Sequence, residues 1–207
     1  RKAAELLMLG EPFDVNEELT GNHYATNWDV ETGGRFNHFG QLAIDNSRLK
    51  MFYTSNAAWG ASIITKQSYG KGIRISYVYE YTDHYSGNND RSYDGLYLYG
   101  TDNLPGGRSG FYHSPNGFAD LNNYGAILHS RYDSKFQLIL QGVFSNNGTN
   151  DEYIEIGDWN ANSGKTYDIS VDYHANGEFA IYVDGVELVK RNTNEGSTLS
   201  DFLIEFH

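Results

Sequence analysis

The sequence predicts an all-β chain folded as a two-sheet antiparallel sandwich of the jelly-roll kind, and three observations carry that expectation. The stretch Tyr167 to Val189 reads as alternating strands joined by tight turns at Asn176-Gly177 and Asp184-Gly185, dipeptides that supply the positive φ values two-residue hairpins need. Within it, Tyr167, Ile169, Val171 and Tyr173 fall on one face while Asp168, Ser170, Asp172 and His174 fall on the other, the period of two of a sheet with one dry side. Finally, 23 glycines and only 3 prolines are spread among many short alternating segments, where turns use them.

Along the chain, Ala3 to Leu9 has modest helical potential that Gly10 and Pro12 stop, so a short N-terminal helix or irregular lead-in is expected. Strands then follow near Gln41 to Ile44, Leu49 to Tyr53, Ala61 to Thr65, Ile73 to Tyr81, Gly95 to Tyr99, Gly110 to His113 and Ala126 to His129. Further strands are expected near Phe136 to Phe144, Tyr153 to Ile156, Tyr167 to Tyr173, Phe179 to Val183 and Phe202 to Phe206. Each is short, rich in β-branched or aromatic residues, and bounded by Gly, Asn, Asp or Ser. No helix-length periodic segment separates them, which favours stacked antiparallel sheets over helices on a parallel sheet. The longest irregular stretches, Thr82 to Asp94, Thr101 to Ser109 and Pro115 to Tyr124, mark the expected functional edge, since binding residues concentrate in loops held by a rigid scaffold. No composition shift divides the chain, so residues 1–207 are read as one domain.

A net charge of -12 argues against nucleic acid as a partner, because that binding depends on clustered Lys and Arg releasing counterions. No apolar run is long enough to span a membrane. With Cys 0, neither a disulfide framework nor a thiolate metal site can form. The opening Arg1 to Leu7 is too short and too soon acidic for an export signal. Asn147-Gly148-Thr149 matches the glycosylation acceptor pattern and equally a plain turn.

Three segments resemble a known superfamily. Ala180 to Leu188, preceded by the Tyr167 to Tyr173 strand, resembles the penultimate hairpin of the concanavalin A-like lectin/glucanase superfamily, laminin-G-like domains included. Ala61 to Ile75 is similar to the strand, glycine turn and strand of sandwich-fold endoglucanases and polysaccharide lyases, and Asp94-Gly95-Leu96-Tyr97-Leu98 to the start of a core strand in legume-type lectins. The resemblance implies a curved sandwich whose concave face or loop edge meets carbohydrate, and hence an extracellular protein. One sandwich hosts lectins, hydrolases, lyases and protein-binding modules, so the scaffold alone does not select an activity.

The residues themselves then narrow the choice. Retaining glucanases of this superfamily carry an E-x-D-x-x-E strand that sets two carboxylates about 5–5.5 Å apart. The nearest stretch here, Glu152 to Asp158, has the wrong spacing and reads as a solvated acidic edge strand. Lyases need a Tyr or His base and an Arg, Gln or Asn to neutralise a uronate carboxylate. For that chemistry the candidate catalytic residues are His129, Arg131, Gln137 and Tyr112. The R-x-E-x-R, Q-x-H and Y-x-K-x-x-Y motifs of alginate lyases are absent.

The 17 tyrosines and 3 tryptophans supply rings that can stack on sugars with their polar tips wet. Those in or beside loops, Tyr85, Tyr93, Tyr112, Tyr124 and Trp159, with Arg108, are the candidate ligand-binding set. Oxygen ligands in one loop, Asp83, Asn88, Asp90 and Asp94, form a candidate calcium site that lacks the EF-hand pattern. No cofactor is otherwise required. The leading expectation is a lectin-like, polysaccharide-binding sandwich. The alternatives are an endo-acting lyase or hydrolase, and a laminin-G-like adhesion or coat module with a protein partner.

Overall fold

A computed structural model describes residues 28–31, 40–45, 48–53, 62–80, 94–101, 120–133, 135–146, 151–158, 166–194 and 196–206, with the first three strands, Ser62 and Arg131 described by backbone alone. The expected N-terminal helix and the strand at 110–113 lie outside these residues.

Fourteen strands and one short 3-10 turn, Leu121–Asn123, make up the described elements. In chain order they are β1 (Trp28–Glu31), β2 (Gly40–Asp45), β3 (Arg48–Tyr53), β4 (Ser62–Thr65), β5 (Tyr69–Gly70), β6 (Ile73–Glu80) and β7 (Asp94–Gly100). The second half holds β8 (Tyr124–Tyr132), β9 (Lys135–Gly142), β10 (Glu152–Asp158), β11 (Thr166–Tyr173), β12 (Glu178–Val183), β13 (Val186–Asn192) and β14 (Asp201–Phe206). The larger sheet runs β1-β4-β14-β7-β8-β9-β10, with β5 added beside β14; the smaller runs β13-β12-β11-β6; among the described residues β2 and β3 pair only with each other. Every pairing is antiparallel.

The two larger sheets stack on one core. Leu96, Leu98, Ile127, Leu138 and Leu140 from the larger sheet meet Ile75, Ile169, Val171, Phe179 and Ile181 from the smaller. The alternation expected in β11 is met, with Tyr167, Ile169, Val171 and Tyr173 all buried. Rings cross the gap between layers: Phe136 stacks on Tyr167 at 4.1 Å between centroids, and Phe144 meets Tyr173 edge-on at 5.7 Å. The Asn176-Gly177 and Asp184-Gly185 turns join β11, β12 and β13 as expected, with Gly177 and Gly185 at positive φ. The 186–192 strand was legible as the continuation of that meander, whereas β1 and β5 are too short to announce themselves.

The central strands of the larger sheet, β7, β8 and the middle of β9, are dry on both faces. Their outward side carries a second cluster, Tyr97, Tyr99, Tyr124, Ala126, Leu128 and Ile139, each at most 1% exposed. This explains why β7, β8 and β9 read as near-continuous apolar runs instead of strict alternation.

Candidate functional site

The outward side of the larger sheet becomes polar toward its edge. Strand β10 is the terminal strand of this sheet among the described residues, and a bulge between Glu155 and Gly157 interrupts its pairing with β9. A bulge and acidic side chains on an edge strand block pairing with another chain. Upstream of the bulge, the register pairs Tyr153 with Ile139 and Glu155 with Gln137, and the latter pairs in turn with Ser130. Because directly opposed residues share a face, Tyr153, Glu155, Gln137 and Ser130 lie on the outward side. Tyr153 is 42% exposed.

A hydrogen-bonded relay anchors this exposed ring in the buried cluster. The phenol of Tyr124 donates to Gln141 Oε1 at 2.7 Å, Gln141 Nε2 donates to Asp151 Oδ1 at 2.8 Å, and the Tyr153 hydroxyl donates to Asp151 Oδ2 at 3.3 Å. Burial, and secondarily the Asp151 carboxylate, push the Tyr124 phenol well above its ordinary pKa, so it remains a donor. Gly142 makes room for the root of the relay. Its φ is +60°, and a Cβ there would lie 2.1 Å from the Tyr124 carbonyl oxygen and 2.7 Å from its ring.

Beside the relay, Ser130 Oγ and Gln137 Oε1 are buried without a hydrogen-bond partner, and Ser130 is only 1% exposed. The Glu155 carboxylate, with a side chain 57% exposed, closes this row at the sheet edge. Lys135 Nζ stands 3.9 Å from it and also bonds Asp158. Asp151 and Glu155 sit four residues apart along one face, about 13 Å at the usual strand rise. That exceeds the spacing of either glycosidase carboxylate pair, so these two do not form one.

The opposite face of the same strands holds His129. Its ring packs between the sheets, stacked on Tyr79 at 3.8 Å. Its Nε2 lies 2.8 Å from the Tyr77 hydroxyl and its Nδ1 3.4 Å from Asp94 Oδ2. A proton on Nδ1 serves both contacts: Nδ1–H donates to Asp94, and Nε2 accepts from Tyr77. Burial, then Asp94, hold the Tyr77 phenol far above its ordinary value.

These placements correct part of the expected site. His129 pairs in register with Leu138, and Gln137 with Ser130, so these two of the four candidate lyase residues occupy opposite faces and cannot converge on one substrate. Arg131 takes the register position opposite Phe136. Tyr124 is no ligand platform: it is fully buried and acts as the root of the relay. Asp94 opens β7 and turns its carboxylate to His129. Tyr85, Tyr93, Arg108, Tyr112, Trp159, Asp83, Asn88 and Asp90 lie outside the described residues. Among the described residues no three His, Asp or Glu side chains gather as metal ligands, and no helix is long and apolar enough to cross a membrane. Ser130, Asp151 and Tyr153 stand outside the expected site; for Asp151 and Tyr153 the signal in the sequence is an aromatic alternating with carboxylates on a short strand, and Ser130 carries none.

No family of aligned sequences matches this chain, and no characterised protein matches it in sequence. Solved structures match in fold. A β-glucanase from Bacillus licheniformis superposes with a TM-score of 0.53 at 13% identity, over 95% of this chain and 82% of that one. A Bacillus subtilis protein of unknown function with a galectin-like fold gives 0.56 at 12% identity, over 91% and 85%. A sialidase gives 0.51 at 12% identity over 92% of this chain, which spans only 14% of that protein's length. The chain therefore has the concanavalin A-like jelly-roll fold.

Proposed function

We propose that this chain is an extracellular carbohydrate-binding sandwich that recognises a polysaccharide on the outward face of the larger sheet, at the β9–β10 edge. The observation that carries the reading is Tyr153, an exposed ring whose hydroxyl is fixed through Asp151 and Gln141 to a buried tyrosine. Sugars present apolar C–H faces ringed by hydroxyls, and an orientationally fixed aromatic beside carboxylates and amides complements both. A ring held before the ligand arrives loses little freedom on binding, which raises affinity. The glucanase and galectin-like folds make the scaffold a fitting one for this role, as an analogy of architecture.

Binding is favoured over hydrolysis by the wide separation of Asp151 and Glu155, and over the His129 lyase by the burial of that ring between the layers. The test is retention of the protein on a panel of insoluble polysaccharides and on a glycan array, comparing wild type with Tyr153→Ala. Retention on at least one glycan that the variant loses supports the reading. No retention anywhere, or retention indifferent to Tyr153, rejects it.

A further inference from the structure

We propose that the row Ser130, Gln137, Glu155 is a sugar subsite for a residue that carries hydrogen-bond donors and no negative charge, binding an amino sugar more tightly than its neutral counterpart. The proposal rests on reading the outward face as a glycan site and adds the class of sugar. The three residues are neighbours on adjacent strands, so their side chains step across the sheet at intervals of about 4.8 Å. Two of them present oxygen atoms that are buried and unpartnered, Ser130 Oγ and Gln137 Oε1. The third, Glu155, presents a carboxylate at the exposed end of the row.

A buried oxygen left without a hydrogen bond is costly, so a group placed against it should bring a donor. Gln137 Oε1 and the carboxylate of Glu155 can only accept, Ser130 Oγ can both accept and donate, and the Gln137 amide adds donors at Nε2, but the unmatched buried atom of that amide is its oxygen. The row therefore asks for hydroxyls or an ammonium from its ligand. A uronate would bring another carboxylate to a face that already carries Asp151 and Glu155, with the buried Glu205 set on the same side by its pairing with Tyr97. Lys135, the cation at this end of β9, is engaged by Asp158 and Glu155. Like charges at such range repel, whereas an ammonium gains a charge-assisted bond.

The experiment is calorimetric titration of the full chain, in mildly acidic low-salt buffer, with three size-matched β-linked oligosaccharides: one of glucose, one of glucosamine and one of a uronate. The glucosamine oligomer should bind about fivefold tighter than the glucose oligomer, and the uronate at least about fivefold weaker. Glu155→Gln should abolish the preference for the amine while leaving glucose affinity within about twofold, and Ser130→Ala should weaken all binding several-fold. Glu187→Gln, an equal charge change on exposed β13 of the other sheet, should preserve the preference and so separates the subsite from overall charge. Uronate binding as tight as glucose, or an amine preference that survives Glu155→Gln, overturns the subsite while the glycan reading stands. Failure of all three oligomers to bind, together with no retention in the polysaccharide panel, removes the glycan reading itself.

Discussion

The two faces of the β8–β9 ladder solve the same problem in opposite ways. On the inner face the buried polar side chain, His129, is met on every side: Tyr77 at one ring nitrogen, Asp94 at the other, Tyr79 against the ring. On the outer face the next pair in register, buried Ser130 and half-buried Gln137, has the buried oxygens Ser130 Oγ and Gln137 Oε1 unmatched. A fold gains stability by satisfying buried polar groups, so an unmatched one calls for an explanation, a bound ligand or an ordered water among them. The inner cluster is thus structural and the outer row is the place to look for a ligand.

That contrast can be broken by measurement. The largest effect expected is His129→Ala, which removes a stacked ring from between the layers and strands the Tyr77 hydroxyl. It should cost about 3 kcal/mol in denaturant unfolding, with glycan affinity of the surviving folded protein unchanged. Gly142→Ala comes next, at about 2–3 kcal/mol, because its Cβ enters the Tyr124 carbonyl at a positive φ. The same change at Gly177, φ +87° with its nearest contact at 3.9 Å, should cost only about 1 kcal/mol. Equal costs at the two glycines would argue that the relay's root is not tightly packed.

Gln141→Leu should cost about 2 kcal/mol by removing the acceptor at Gln141 Oε1 that the buried Tyr124 phenol donates to, and should also weaken glycan retention by releasing Asp151 and Tyr153. Ser130→Ala completes the contrast with a stability change within about 0.5 kcal/mol, since it deletes a hydroxyl that bonds nothing. A large loss there would mean the outer row is as well satisfied as the inner one.

Alkali offers a milder probe. Burial raises the phenols of Tyr77, Tyr124 and Tyr173 above their ordinary value of 10.0. Above that value the unfolded chain sheds protons that the folded chain retains, so the unfolded state binds fewer protons and stability falls as pH rises. Unfolding free energy should be insensitive to these groups below pH 10.0 and decline beyond it. Tyr124→Phe should lessen the slope, and an unchanged slope would show that this phenol ionises freely.

Much of this molecule follows from local chemistry. The two-residue period in β11 and the Asn-Gly and Asp-Gly turns on either side of β12 decide a twisted antiparallel meander, because φ preferences and the pleat act over a few residues. The mismatch of Glu152 to Asp158 with a glucanase strand was likewise visible, since catalytic spacing within one strand is a local matter. What remained hidden is the relation between strands. Parity along β8 puts Ser130 opposite in direction to His129, but only the register with β9 decides that Gln137 joins Ser130 and not His129. Only the fold brings Asp151 under Gln141, and only it buries Tyr124 while leaving Tyr153 in the open. Register is fixed by long-range burial and by turns and bulges, and a slip of one residue would exchange the two faces. For that reason the sequence by itself determined the layers of this protein, and the tertiary structure alone decided which of its polar side chains stand together.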